Sequence, residues 1–173
     1  MDAPKTYKWI GYPKQTGFSL IEVLVSVFIL AIGLLGLAGL QSTGLKANGS
    51  AYMLTQATAL ANDMVDRMRA NMPGVAAGRY DNITASPGGS SCYTTSSGCT
   101  TAAAAANADA LEWYTALAAR LPSGTGSVGC VAGTPRNCTV TVMWDNDRSG
   151  VNGTGCSGDP TVDLTCHRIQ VQL

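Results

Sequence analysis

Residues Gly17 to Leu40 read GFSLIEVLVSVFILAIGLLGLAGL: one glycine, then an almost unbroken apolar run carrying a single carboxylate, Glu22. The 23 residues from Phe18 to Leu40 suffice for a tilted helix across a hydrocarbon core about 30 Å thick. A charge near the start of such a segment is expensive in hydrocarbon, so Glu22 belongs at the interface or beside a partner and marks a functional group. Gly33, Gly36 and Gly39 recur at three-residue intervals inside the run. Each interior glycine weakens a helix by about 1 kcal/mol relative to alanine. The three therefore mark a segment able to bend, melt locally or pack closely on another helix, beside the plainer reading that small residues suit membrane helices.

Ahead of Gly17, Lys5, Lys8 and Lys14 are opposed only by Asp2, with no amphipathic period. This reads as a disordered basic lead-in, residues 1–17. The positive-inside bias keeps it in the cytoplasm and sends the chain beyond Leu40 across the membrane. A secretory signal would be cut after the apolar run. The residues there, QSTGLKANGSA, contain no convincing small-x-small site, and a cut there would discard Glu22.

The stretch KQTGFSLIEVLVSVFIL resembles the type IV pilin signature: a basic leader ending in glycine, then phenylalanine, a small hydroxyl residue, leucine, isoleucine and glutamate. The resemblance implies cleavage between Gly17 and Phe18 by a membrane prepilin peptidase and methylation of the new Phe18 amine. It also implies that Glu22 is an assembly contact, facing the N-terminal amine of a neighbouring subunit. The continuation, AIGLLGLAGLQ and then SAYMLTQATALANDMVDRMRAN, is similar to minor pilins, so that the likeness reaches about Asn71. The expected fold class is α+β and pilin-like. A long N-terminal helix, with membrane half 18–40 and head half 41–72, packs on a small antiparallel sheet in a disulfide-stapled head, 73–173. At about 1.5 Å per residue, a helix from Phe18 to about Asn71 measures roughly 80 Å. The implied location is the inner membrane, single-pass with the head in the periplasm, and then the pilus at the cell surface. The implied partners are other minor pilins, the major pilin, the inner-membrane assembly platform, a tip adhesin and, before assembly, membrane lipid. A minor pseudopilin of a type II secretion system shares the signature. A membrane-tethered periplasmic enzyme or binding domain is the third reading, and it does not require cleavage before Phe18.

Beyond the run, Leu54, Ala57, Leu60, Ala61, Met64, Met68 and Met72 recur at three and four, one apolar stripe that is better read as core than as a groove. Asp63 with Arg67 and Asp66 with Arg69 stand at salt-bridge spacing on the wetter sides, and Pro73-Gly74 is expected to end the helix. Residues 73–103 read as a polar loop. A second helix is expected over about 103–121, with Leu111, Tyr114, Leu117, Ala118 and Leu121 as its buried face, Glu112 and Trp113 flanking, and nothing to pair with Glu112. Strands are expected at about 128–132, 138–144 and 167–173. Val140, Val142 and Trp144 alternate with Thr139, Thr141 and Met143 as in a half-buried strand, and Ile169, Val171 and Leu173 alternate with Arg168, Gln170 and Gln172. The last two strands are expected to pair antiparallel beneath the helix.

The six cysteines, Cys92, Cys99, Cys130, Cys138, Cys156 and Cys166, all lie past the apolar run in Gly-, Ser- and Thr-rich segments. That reads as a disulfide framework in an oxidising compartment, and neighbour is expected to pair with neighbour because each pair closes a short polar loop. Zinc-like close cysteine pairs do not occur, and His167 is the one histidine, so no metal site is expected. Asp145-Asn146-Asp147-Arg148-Ser149-Gly150 begins like a calcium loop, but Cys156 occupies the position of the closing glutamate. A polar turn is the better reading, with Asp159 and Asp163 too far along the chain to complete the motif. No Lys/Arg cluster suits a phosphate backbone, which argues against nucleic acid. No nucleophile, base and orienting group stand at catalytic spacing, so no enzymatic activity and no cofactor are expected.

Overall fold

The computed structural model describes residues 17–173. The lead-in with Lys5, Lys8 and Lys14 lies outside the described residues. The chain divides into two units, one ending at Leu45 and the other running Lys46–Leu173.

Helix α1, Leu20–Ala70, begins in the first unit and ends in the second. Its first turn is closed by the Ser19 carbonyl, which accepts from the Glu22 and Val23 amides at 3.0 and 3.3 Å. All fifteen large apolar side chains from Phe18 to Leu40 are at least 49% exposed. Nothing in the first unit packs on them, and the helix runs unbroken through Gly33, Gly36 and Gly39. The expected joints are therefore helical here.

In the second unit, α1 supplies Ala57, Leu60, Ala61, Met64, Val65 and Met68 to the core, while Leu54 and Met72, expected in the stripe, are 47% and 43% exposed. Val65 takes the place that Met72 was expected to hold. The cause is a break at Asn71, whose φ of −119° leaves the helical region. Its side-chain oxygen accepts from the Gly74 amide at 3.2 Å and so caps a second helix, α2, Met72–Ala76. Asparagine is a strong N-cap, and proline in a first turn lacks only an amide that would be unsatisfied anyway. Pro73 thus starts a short helix instead of ending the long one, and the expected loop begins only after Ala76.

That loop contains a single 3-10 turn, Cys92–Thr94, before α3, Ala102–Arg120. Thr101 caps α3 by accepting from the Ala104 amide at 3.1 Å. Its buried face is Ala106, Ala110, Trp113, Tyr114 and Leu117, with Leu121 just beyond. Trp113 therefore lies in the core and Ala118 is exposed, contrary to expectation. The Trp113 indole donates to the Leu60 carbonyl at 2.8 Å, which locks α3 onto α1.

The sheet is antiparallel with order β1, β2, β3: Thr125–Val131, Asn137–Trp144 and Thr165–Gln172. The first strand starts three residues earlier than expected because Gly124 and Gly126 are places of close approach and not a free turn. A side chain at Gly126 would strike the Trp113 ring and the Thr141 carbonyl. β2 is the centre strand. Val140, Val142 and Trp144 face the core, but Thr141 and Met143 on the other face are only 7% and 4% exposed. Met143 stands opposite Cys166, whose bond to Cys156 ties the loop 145–164 to that position. The half-buried alternation expected for β2 is thus covered on both sides. The disulfides join Cys92 with Cys99, Cys130 with Cys138 and Cys156 with Cys166, each a chain neighbour.

Gly126→Val is expected to destabilise the head by about 1–3 kcal/mol through overpacking against Trp113. Thermal or denaturant unfolding of the chain in mild detergent reads this directly, and unchanged stability would mean that Trp113 does not sit on β1.

Candidate functional site

Gly17, Phe18 and Ser19 lie outside the helix, and the Phe18 side chain is 83% exposed. A peptide bond between Gly17 and Phe18 is therefore in accessible, non-helical backbone, the form in which a protease takes a substrate strand. Glu22 lies in the first turn of α1, where the positive pole of the helix favours a carboxylate. Its side chain is exposed and has no hydrogen-bond or ion-pair partner among the described residues. The other polar group of the segment behaves differently. One turn on, the Ser26 hydroxyl donates back to the Glu22 and Val23 carbonyls at 2.8 and 2.9 Å and so satisfies itself within the helix. A β-carbon added at Gly33, Gly36 or Gly39 would meet nothing within 4 Å. Whatever close packing these glycines permit, it is not with the other described residues.

The head holds a second polar cluster, which the sequence did not disclose. Arg67 bonds Asp63 at 2.9 Å, Glu112 at 3.0 Å and Asp109 at 3.5 Å. Asp109, nearly fully buried, also accepts from the hydroxyls of Tyr80 at 2.6 Å and Tyr93 at 2.9 Å. Ser91 donates to Glu112 at 2.7 Å, and Asn71 donates to Tyr80 at 3.0 Å. Glu112 therefore has partners, against expectation, and they come from residues 21 and 45 positions away. The Ser91 hydroxyl and then the Arg67 guanidinium hold its carboxyl below the usual range. Burial and the bond to Asp109 push the Tyr93 phenol up to about 12. With both carboxylates accepting on each oxygen, the cluster is a clasp. It binds the loop on either side of Cys92 to α1 and α3, and its donors leave no activated base.

The turn at Asp145 is likewise committed. Burial opposes ionisation of Asp145, but the Gly150 amide at 2.7 Å and the Ser149 amide at 3.1 Å outweigh it and hold the carboxyl below its ordinary value. Asn146 donates to Ser50 at 3.1 Å, and Asp147 pairs with Lys46 at 3.4 Å. The three side chains that begin a calcium-like pattern thus point to three different places, which fits the polar-turn reading. Asp163 plays the part of Asp145 at the other end of the same loop. Ser157 and then the Gly155 amide, each at 3.0 Å, keep it ionised. His167 meets the Thr58 hydroxyl at 3.3 Å, a link between β3 and α1.

Against known proteins, the family model of the prokaryotic N-terminal methylation motif matches residues 12–38. That span contains the Gly17/Phe18 junction and Glu22 and ends inside the apolar helix. The chain thus carries the signal of type IV pilin-like and pseudopilin precursors that a prepilin peptidase processes, and its exposed apolar helix fits the membrane anchor of such a precursor. No curated protein and no solved structure is significantly similar to the chain.

Because Asp145 and Asp163 titrate below an unfolded aspartate, about 3.9, their stabilisation is complete above that value and is lost as pH falls through their lower folded-state values. The thermal midpoint of the head is therefore expected to stay level down to about pH 4.5 and to fall below it. Asp145→Asn and Asp163→Asn should each shrink that fall. An acid limb identical in the variants and the parent would contradict the assignment.

Proposed function

We propose that the chain is a PilV-like minor pilin, a structural and interaction protein with no catalytic role. It is held in the inner membrane as a precursor, processed between Gly17 and Phe18, methylated at Phe18, and built into a type IV pilus or its priming complex. The observation that carries this reading is the position of Glu22: a carboxylate with no partner among the described residues, in the first turn of α1 and within its exposed apolar run, inside the matched methylation motif. In a filament the apolar helices exchange lipid for one another, and a buried carboxylate needs an opposite charge or donors. A neighbour's Phe18 amine, freed by cleavage, has the right charge, and the pair fixes axial register. The partners follow from that arrangement: other minor pilins, the major pilin, the inner-membrane assembly platform and a tip adhesin, in the service of twitching motility or adhesion.

A minor pseudopilin of a type II secretion system would use the same anchor and the same pair, so phenotype separates the two. Deletion that abolishes twitching and spares secretion supports the pilus, and the reverse supports the secretion machine. For the site itself, Glu22→Ala is expected to be cleaved normally yet recovered in sheared filaments or priming complexes at less than about a tenth of the parent level, the scale of losing roughly 1.4 kcal/mol of pairing. Gly17→Val should leave full-length precursor on a gel. Full incorporation of Glu22→Ala would sink the proposed pairing.

A further inference from the structure

The sheet has two edges, and the fold treats them differently. On β1, Val128 exchanges both main-chain hydrogen bonds with Ile83, at 2.8 and 2.9 Å, and the Gly126 carbonyl accepts the Tyr114 hydroxyl. That edge is covered at Gly126 and Val128. On the far side, Arg136 and Leu173 exchange both bonds at 2.8 and 2.9 Å, which sets the phase of the ladder, since such exchanges recur at every second residue of an antiparallel pair. Val171, Ile169 and His167 accordingly turn their main-chain groups to β2, and Gln172, Gln170 and Arg168 turn theirs outward. The outward groups have no main-chain partner among the described residues, and all three side chains are exposed.

Open edges invite pairing, and folds ordinarily blunt them with proline, a bulge, a lysine or a covering loop. β3 has none of the first three: its register with β2 runs without interruption from Thr165 to Gln172, and its one charge is Arg168, which has no acidic partner among the described residues. The flank beside it is apolar. Leu54, 47% exposed, lies one turn before Thr58, which reaches His167. Ile169 and Val171 are half-buried on the same side of the sheet.

We propose that the β3 edge is a docking site for an extended segment of a partner protein, added antiparallel or parallel as a fourth strand. The segment carries apolar side chains at alternate positions, to cover Leu54 and Ile169, and an acidic residue on the other face opposite Arg168. A second copy of β3 does not offer that chemistry, because TCHRIQVQ contains no acidic residue. The proposal rests on the reading that the chain enters a multi-protein pilus assembly.

Hydrogen exchange on the full chain, isolated in detergent and then within assemblies recovered from cells, tests it. The amides of Arg168, Gln170 and Gln172 are expected to exchange fast in isolation and to slow by about 100-fold or more on assembly, while those of His167, Ile169 and Val171 are slow in both. Gln170→Pro removes an outward amide without touching the ladder to β2, and Arg168→Glu reverses the charge. Each should keep the thermal midpoint and lower recovery in assemblies several-fold. A photoreactive residue at position 172 should cross-link to an extended partner segment, and exchanging that segment's acidic residue for lysine should rescue Arg168→Glu. If Gln170→Pro does not fold, Arg168→Glu and its rescue decide the matter. Fast exchange at the three amides in the assembly, a cross-link to β3 of a second copy, or parental recovery of both variants overturns strand addition and leaves the pilin reading intact. A parent chain never recovered outside the membrane overturns both.

Discussion

The dominant constraint on this molecule is the apolar surface between Phe18 and Leu40, which the described residues do not cover. Fifteen large apolar side chains at about 1.5–3 kcal/mol each amount to tens of kcal/mol if left in water, several times the roughly 5–15 kcal/mol that holds a whole domain together. Cover from outside the chain is therefore obligatory. Lipid suits a helix of this length, and in the proposed filament the equivalent helices of other subunits would take its place. In either setting the dielectric is low, and the one charge in the segment becomes the group that discriminates between them. Ser26 answers its own hydrogen-bonding need within the helix, whereas Glu22 does not.

The head meets the opposite demand, since it stands in water and builds its core without help from the apolar run. Its core begins at Met53 and Ala57 on α1 and is completed by Trp113, Leu117, Val140, Val142 and Trp144. The long Gly-, Ser- and Thr-rich connections are too polar to bury themselves. Each carries a device that fixes it: the Cys92–Cys99 bond with the Arg67, Asp109 and Glu112 clasp, the Cys130–Cys138 bond across β1 and β2, and the Cys156–Cys166 bond with the Asp145 and Asp163 turns. Rigid loops of this kind present a defined surface. The β3 edge is a part of that surface whose outward main-chain groups have no main-chain partner among the described residues.

Features governed by neighbours in the chain could be read from residues alone. The Gly17/Phe18/Glu22 signature, the length of the apolar run and the alternation that marks β2 and β3 are local patterns. Features governed by distant residues could not. Arg67 and Glu112 meet across 45 positions, and no spacing rule links them. The buried face of α3 is legible at Tyr114, Leu117 and Leu121 but not at Ala106, Ala110 and Trp113, because its first turns are alanine and asparagine, which give a hydrophobic stripe no contrast. Asn71 was passed over because Pro73 is a stronger visible stop than an asparagine cap. The start of β1 at Thr125 is not legible because the close approach of Gly124 to Leu117 and of Gly126 to Trp113 is a tertiary fact. Glu22 shows the limit from the other side: it has no partner among the described residues, and the proposed one belongs to another subunit.

The account stands on the freed amine that Glu22 is held to meet, and the intact mass of the mature chain purified from its native membrane tests this most directly. A chain beginning at Phe18 and carrying one N-terminal methyl group, with all three disulfides formed, is the predicted result. A mature chain that retains residues 1–17, or one cut beyond Leu40, would contradict it.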